Sequence, residues 1–265
     1  MPSRLLYGAH IRANGIRQHY LRYGGRGTSL VILPGITSPA VTWGFVAEEL
    51  AGRYDVYVPD ARGRGLSEAR DGLDYGLDAL ADDLTGLAKA LALGSYYLVG
   101  HSMGARIAIR AARRQPKGIR KMIWVDPPVS GPGRRPYPAM LSWYLDSIRI
   151  ASRGADWKAM QAFLPSWTEE HLRLRAEWLH TCLEKAVQTS YDGFHEDDIH
   201  SDISAIRIPT LLMTAERGDV VREEDIAELH QLKPDLQNIR VTNAGHMIPW
   251  DNLTGFLEAA KQFLG

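Results

Sequence analysis

Short runs of apolar, β-branched and aromatic residues alternate along this chain with longer stretches in which leucine, isoleucine and alanine recur every three or four positions. "LYGAHIRAN" and "GIRQHYLRYG" alternate in polarity and flank Asn14-Gly15, which predicts an antiparallel hairpin with a tight turn. "SLVILPG", "YDVYVPD", "YYLVGHS", "KMIWVDPP", "TLLMTAE" and "IRVTNAGH" follow, most of them nearly continuous apolar runs, as strands buried on both faces require. Between them, "PAVTWGFVAEELA", "GLDALADDLTGLAKALAL", "MGARIAIRAARRQ", "REEDIAELHQL" and "LTGFLEAAKQFL" carry helical spacing. A hairpin followed by β–α alternation predicts an α/β fold with a mostly parallel sheet covered by helices.

One stretch breaks the rhythm. From residue 127 to residue 201 no strand pattern appears. The segment opens on "PPVSGPGRRPYP" and continues with helical patterns such as "MLSWYLDSIRI" and "TEEHLRLRAEWLHTC". It is too long for one crossover helix, and we expect a helical cap over the carboxyl edge of the sheet, where such folds bind ligands. The expected core is then 1–126 and 202–265, with the cap at 127–201.

Charge narrows the function classes. Lys+Arg and Asp+Glu both number 31, so no net field draws the chain to nucleic acid or an anionic membrane. A single cysteine, Cys182, excludes an internal disulfide, and no cysteine-based metal site is expected. No signal-like or membrane-length apolar run occurs, so a cytoplasmic location is expected.

The chemistry concentrates in "LVGHSMGARIAIRAA". Ser102 sits in G-H-S-M-G where an apolar strand gives way to a helix. A turn this tight exposes the hydroxyl, and its flanking glycines avoid collisions with neighbouring backbone. A serine at neutral pH needs a base. His246, in "NAGHMIPWD" after the last strand, is positioned to reach back over the sheet, whereas the other histidines lie in the hairpin, on a helix, in the cap or beside the serine. The backbone N–H groups of Met103 and Ile36 are the expected oxyanion donors, since Pro34 has no N–H and Gly35 permits close approach.

With these elements the whole chain resembles the α/β-hydrolase superfamily, including "DARGRGLS" after the fourth strand. That resemblance implies an eight-stranded sheet, a cap after the sixth strand and a triad acid. The acid's usual place, after the seventh strand, is taken here by Gly218 in "LLMTAERGDVVRE", leaving Glu216 and Asp219 as nearby alternatives. Asp126, ending the sixth strand before Pro127 and Pro128, is the preferred candidate, because some superfamily members carry the acid there.

A narrower resemblance, carried by "YGAHIRANGIRQHYLRYGG", "LPGITSPAVTWGFVAEEL", "VDPPVSGPGRRPYP", "RAEWLHTC" and "NAGHMIPWD", is to the N-formylmaleamate deformylase family of nicotinate degradation. It implies a Ser102–His246–Asp126 triad that cleaves a small anionic N-formyl amide to maleamate and formate, with no cofactor or metal. The substrate carboxylate needs a cationic or hydrogen-bonding partner. Arg134, Arg135, Arg149, Arg175 and His195 are candidates, with Trp143, Trp178 and Trp250 as possible apolar walls. Rival readings are a hydrolase of another small ester, enol-lactone or ring-cleavage product, and a non-catalytic ligand receptor on the same fold.

Overall fold

The computed structural model describes residues 3–265, in which eight strands form one sheet. β1 (Leu5–Ala13) and β2 (Ile16–Tyr23) form the expected hairpin, followed by β3 (Ser29–Leu33), α1 (Gly44–Leu50), β4 (Asp55–Pro59), α2 (Leu77–Ala90), β5 (Tyr96–His101), α3 (Met103–Arg114) and β6 (Ile119–Val125). Five helices come next: α4 (Leu141–Ser152), α5 (Trp157–Gln161), α6 (Glu169–Trp178), α7 (Glu184–Glu196) and α8 (His200–Ala205). The chain closes with β7 (Thr210–Ala215), α9 (Glu223–Leu232), β8 (Gln237–Val241), α10 (Ile248–Asp251) and α11 (Leu253–Leu264). The strand order is β1-β2-β4-β3-β5-β6-β7-β8, with the β1–β2 and β2–β4 pairs antiparallel and the rest parallel.

Asn14 and Gly15 both take positive φ, 48° and 75°, as a two-residue turn matched to the strand twist demands. The central strands are buried on both faces, which is why they read as unbroken apolar runs. α1 and α11 cover one face with Trp43, Leu50 and Phe256 in the core. α2, α3 and the helices after β6 cover the other.

The helical segment sits between β6 and β7, and two buried arginines without carboxylate partners stitch it to the sheet. Arg106 of α3 donates to the carbonyls of Pro128 (2.9 Å) and Ser130 (3.1 Å) near its entry, and to those of Gly193 (2.8 Å) and Asp197 (3.0 Å) near its exit. Arg64, after β4, donates to the Ala186 carbonyl (2.9 Å) and the Ser190 hydroxyl (2.8 Å) of α7. Burial pushes both guanidinium pKa values down to about 10, so both stay charged at neutral pH while donating mainly to main-chain carbonyls. α8 straddles the boundary expected at residue 201 and packs on α3 and α9, so it belongs with the sheet layers.

The crossing of β3, β5 and α3 is the tightest point of the fold. A Cβ on Gly104 would lie 2.0 Å from the Leu33 carbonyl oxygen, and one on Gly100 would lie 2.4 Å from that of Gly104. No side-chain rotation relieves a clash with backbone. Gly104→Ala should therefore cost about 3 kcal/mol, the upper end of overpacking penalties, read as a lowered urea midpoint with an unchanged slope.

Candidate active site

β5 ends at His101, and the chain turns sharply into α3 through Ser102, which adopts φ 54° and ψ −119°. Its N–H donates to the Val125 carbonyl at 2.9 Å, so the turn is pinned to β6 while the hydroxyl projects above the sheet edge. Met103 begins α3, and its N–H has no intrahelical acceptor. Ile36, in the loop after β3, lies in the same cavity wall as Ser102. Arg64 donates to the Ile36 carbonyl at 3.1 Å and to the Met103 sulfur at 3.6 Å, and so braces both residues.

Asp126 repeats the geometry one strand over. It follows β6 with φ 46°, and its N–H donates to the Met213 carbonyl at 2.8 Å. The side chain is fully buried. His246 Nδ1 donates to Asp126 Oδ2 at 2.7 Å, and Ser102 Oγ donates to His246 Nε2 at 3.0 Å. A Cβ on Gly218 would stand 3.6 Å from Asp126 Oδ2, so the bare backbone at Gly218 adjoins the space the carboxylate occupies. The other two acid candidates point elsewhere. Asp219 is exposed and pairs with Arg222 at 2.6 Å, and Glu216 accepts the Asn243 N–H at 2.7 Å.

His101, expected only to flank the serine, does more. Its Nε2–H donates to the His246 main-chain carbonyl at 2.9 Å, and its ring lies 4.9 Å from the His246 ring. Complete burial, and secondarily the neighbouring His246, push its pKa down to about 3, so it stays neutral while holding the His246 loop.

Ser102 and His246 open onto a small cavity walled by Ile36, Thr37, Trp143, Tyr144, Trp167 and Arg175 among others. Of the cationic candidates the structure brings only Arg175 there. Its Nη1 and Nη2 reach the Thr37 carbonyl and hydroxyl, each at a long 3.3 Å, while its buried Nε has no partner and no carboxylate pairs with it among the described residues. The guanidinium lies 5.8 Å from the Trp143 ring and 6.0 Å from the Trp167 ring. Burial pushes its pKa down to about 10, which leaves it charged at neutral pH.

The remaining candidates are corrected by their partners. Arg134 pairs with Glu228 at 2.5 Å, and Arg149 pairs with Glu184 at 2.7 Å on the surface. Arg135 pairs with Asp225 and donates to the Val220 carbonyl at 2.7 Å. His195 Nδ1 donates to the Tyr191 carbonyl (3.2 Å) and Nε2 accepts the Tyr137 N–H (3.3 Å), so both ring nitrogens are engaged within the fold. Trp178 is half-buried outside the cavity wall. Trp250 stacks behind Trp167 at 5.0 Å.

Sequence reasoning missed Thr37, Tyr137, Tyr144 and Trp167. Adjacency to Trp143 and to the flagged arginines was the only local signal, because aromatic residues in helical patterns read equally well as core. Among the described residues no helix is long and apolar enough to cross a membrane.

Comparison with known proteins fits this arrangement. The α/β-hydrolase fold model matches residues 28–253. The N-formylmaleamate deformylase of Pseudomonas putida KT2440 is 58% identical over 262 residues, 99% of this chain and 98% of that protein. A crystal structure of a serine-to-alanine form of the N-formylmaleamic acid deformylase of Pseudomonas putida S16 superposes with a TM-score of 0.93 at 55% identity, covering 96% of this chain and all of that one. The 2-(acetamidomethylene)succinate hydrolase of Mesorhizobium japonicum is 27% identical over 86% of this chain and 84% of its own length.

The His101 proton sets an acid limit. Its ordinary pKa of 6.5 falls to about 3 in the folded chain, so between those values the unfolded chain binds a proton that the folded one refuses. This contribution should leave stability untouched above pH 6.5 and lower it steadily as pH falls through the window. A nitrogen-detected NMR titration should find the His101 ring neutral, with its proton on Nε2, at pH 5.

Proposed function

The chain belongs to the α/β-hydrolase family, and from that premise we propose that it hydrolyses the formyl C–N bond of N-formylmaleamate, giving maleamate and formate. Ser102 Oγ attacks the formyl carbon as His246 Nε2 takes its proton, and Asp126 holds His246 in the required tautomer and balances the imidazolium. The N–H groups of Met103 and Ile36 receive the oxyanion. The imidazolium then protonates the departing nitrogen, and water activated by His246 releases formate from the formyl-serine. The bond is favourable to this machinery, because the nitrogen is acylated on both sides and leaves as an amide rather than an amine. We assign residues 127–201, apart from the part of α8 that joins the sheet layers, the role of a cap that excludes water.

The observation that carries the reading is Arg175. A guanidinium with an unpaired buried Nε, sharing a small cavity with a serine and histidine in hydrogen-bond contact, calls for a small substrate with a carboxylate at one end and an acyl carbon at the other. The aromatic walls formed by Trp143 and Trp167 suit a flat unsaturated acid. The substrate named for the 58%-identical relative has that shape.

Formate release from N-formylmaleamate tests the assignment. Ser102→Ala should abolish turnover, a loss on the order of 10⁶ in kcat. Asp126→Asn should cost about 10⁴ by misorienting the His246 proton, while Asp219→Asn stays within about twofold, as exposed pairs contribute little. Arg175→Gln should lower kcat/KM by on the order of 100-fold, about 2.7 kcal/mol, through a lost charge-assisted contact. No formate from the wild type would sink the substrate and turn the search to small esters, enol-lactones and ring-cleavage products. Saturable binding without turnover would mark a receptor. Chemistry surviving Ser102→Ala would point to His246 and Asp126 acting without a nucleophilic serine.

A further inference from the structure

Two tyrosines outside the Ser–His–Asp relay meet inside the same site. Tyr137 lies in the segment entering the helices, and Tyr144 lies on α4 in the cavity wall. Their hydroxyls are 3.0 Å apart, both side chains are buried, and neither proton goes to a main-chain carbonyl or a carboxylate among the described residues. The Tyr137 hydroxyl faces Ser102 and feels the charge of Asp126, while Tyr144 lies within the field of Arg175. The Tyr137 ring stands edge-on to the His246 ring at 6.4 Å. Burial keeps both phenols protonated, pushing Tyr144 up to about 12 and Tyr137 well above its ordinary value. Ser102, Tyr144 and Arg175 thus line one cavity, and Tyr137 joins Tyr144 through its hydroxyl. The substrate of the deformylase reading has its formyl carbon at one end, its carboxylate at the other and the amide carbonyl between them.

We propose that the Tyr137–Tyr144 hydroxyl pair binds the amide carbonyl oxygen of the leaving group and stabilises the charge that this oxygen takes up as the formyl C–N bond breaks, an inference that rests on the deformylase reading above. As that bond breaks, its electron pair passes to nitrogen and delocalises onto the adjacent carbonyl oxygen, before the proton of the His246 imidazolium arrives at nitrogen. Tyr144 donates a hydrogen bond to that oxygen without giving up its proton. Tyr137, donating to the Tyr144 oxygen, turns the Tyr144 proton toward the cavity and acts as a positioning residue. The site then holds two oxygen-binding sets. One, at Ile36 and Met103, serves the attacked carbonyl, and the other serves the departing one. The second set rewards a substrate whose nitrogen carries a second acyl group.

Two readouts separate this from a role in shaping Ser102. Formate release from N-formylmaleamate reads the whole reaction. Inactivation by phenylmethanesulfonyl fluoride reads the nucleophilicity of Ser102 with fluoride departing, where no leaving-group carbonyl exists. Tyr144→Phe should lower kcat for N-formylmaleamate on the order of 100-fold, as loss of one oxyanion donor does, with KM little changed and the inactivation rate within about twofold. Tyr137→Phe, which keeps Tyr144 but frees its hydroxyl to rotate, should cost about tenfold in kcat with the same unchanged inactivation. Equal losses in both readouts would show the pair acting through Ser102 and overturn the proposal. Unchanged kcat in a folded Tyr144→Phe protein would overturn it too. A wild type that reacts with the sulfonyl fluoride yet releases no formate would instead remove the deformylase reading, and this proposal with it.

Discussion

Two residues in left-handed backbone conformation, at the carboxyl ends of adjacent parallel strands, determine everything above the sheet. Ser102 and Asp126 each donate their N–H to a carbonyl of the next strand, at Val125 and Met213, and then turn out of the sheet with positive φ. Neither is glycine, and each conformation costs on the order of 1–2 kcal/mol. The cost is met by the packing beneath, where the Gly100 and Gly104 backbones press on one another and on Leu33 too closely for any side chain. The two turns sit one strand apart, so one imidazole from the loop after β8 spans both side chains. The Gly218 backbone lies beside the carboxylate, where an added Cβ would stand 3.6 Å from Asp126 Oδ2.

Charge without counter-charge is the second organising feature. Arg64, Arg106 and Arg175 are all buried and meet carbonyls and hydroxyls instead of carboxylates. The first two donate to several acceptors each, mostly main-chain carbonyls, and bind the helical segment to the sheet. Arg175 is not saturated, since its buried Nε has no partner among the described residues, and a desolvated guanidinium favours an anionic neighbour. Burial keeps His101 and the two tyrosines uncharged, so none of them competes with a carboxylate there. The cavity therefore sets one guanidinium with an unpartnered Nε against largely aromatic walls.

Much of this was legible in residue order. Local patterns specify hairpin, strands and flanking helices, because apolar periodicity and turn residues act over a few positions. The G-H-S-M-G turn carries its own structural cause, and a histidine after the last strand and an aspartate after the sixth follow once strand order is known. Helices α5, α7 and α8 escaped notice, since their apolar positions answer to contacts with α3, α4 and α6 that the sequence does not display. Which arginine enters the cavity was decided solely in three dimensions. Arg134, Arg135 and Arg149 find carboxylates on distant segments, at Glu228, Asp225 and Glu184, and Arg175 finds none. The same holds for the tyrosine pair, seven residues apart in sequence yet joined by their hydroxyls. By itself the sequence determined the fold and the residues able to do the chemistry, since both rest on local geometry. The tertiary structure alone decided which charge stays unpaired and which hydroxyls meet, since pairing depends on what distant segments bring within 3 to 4 Å.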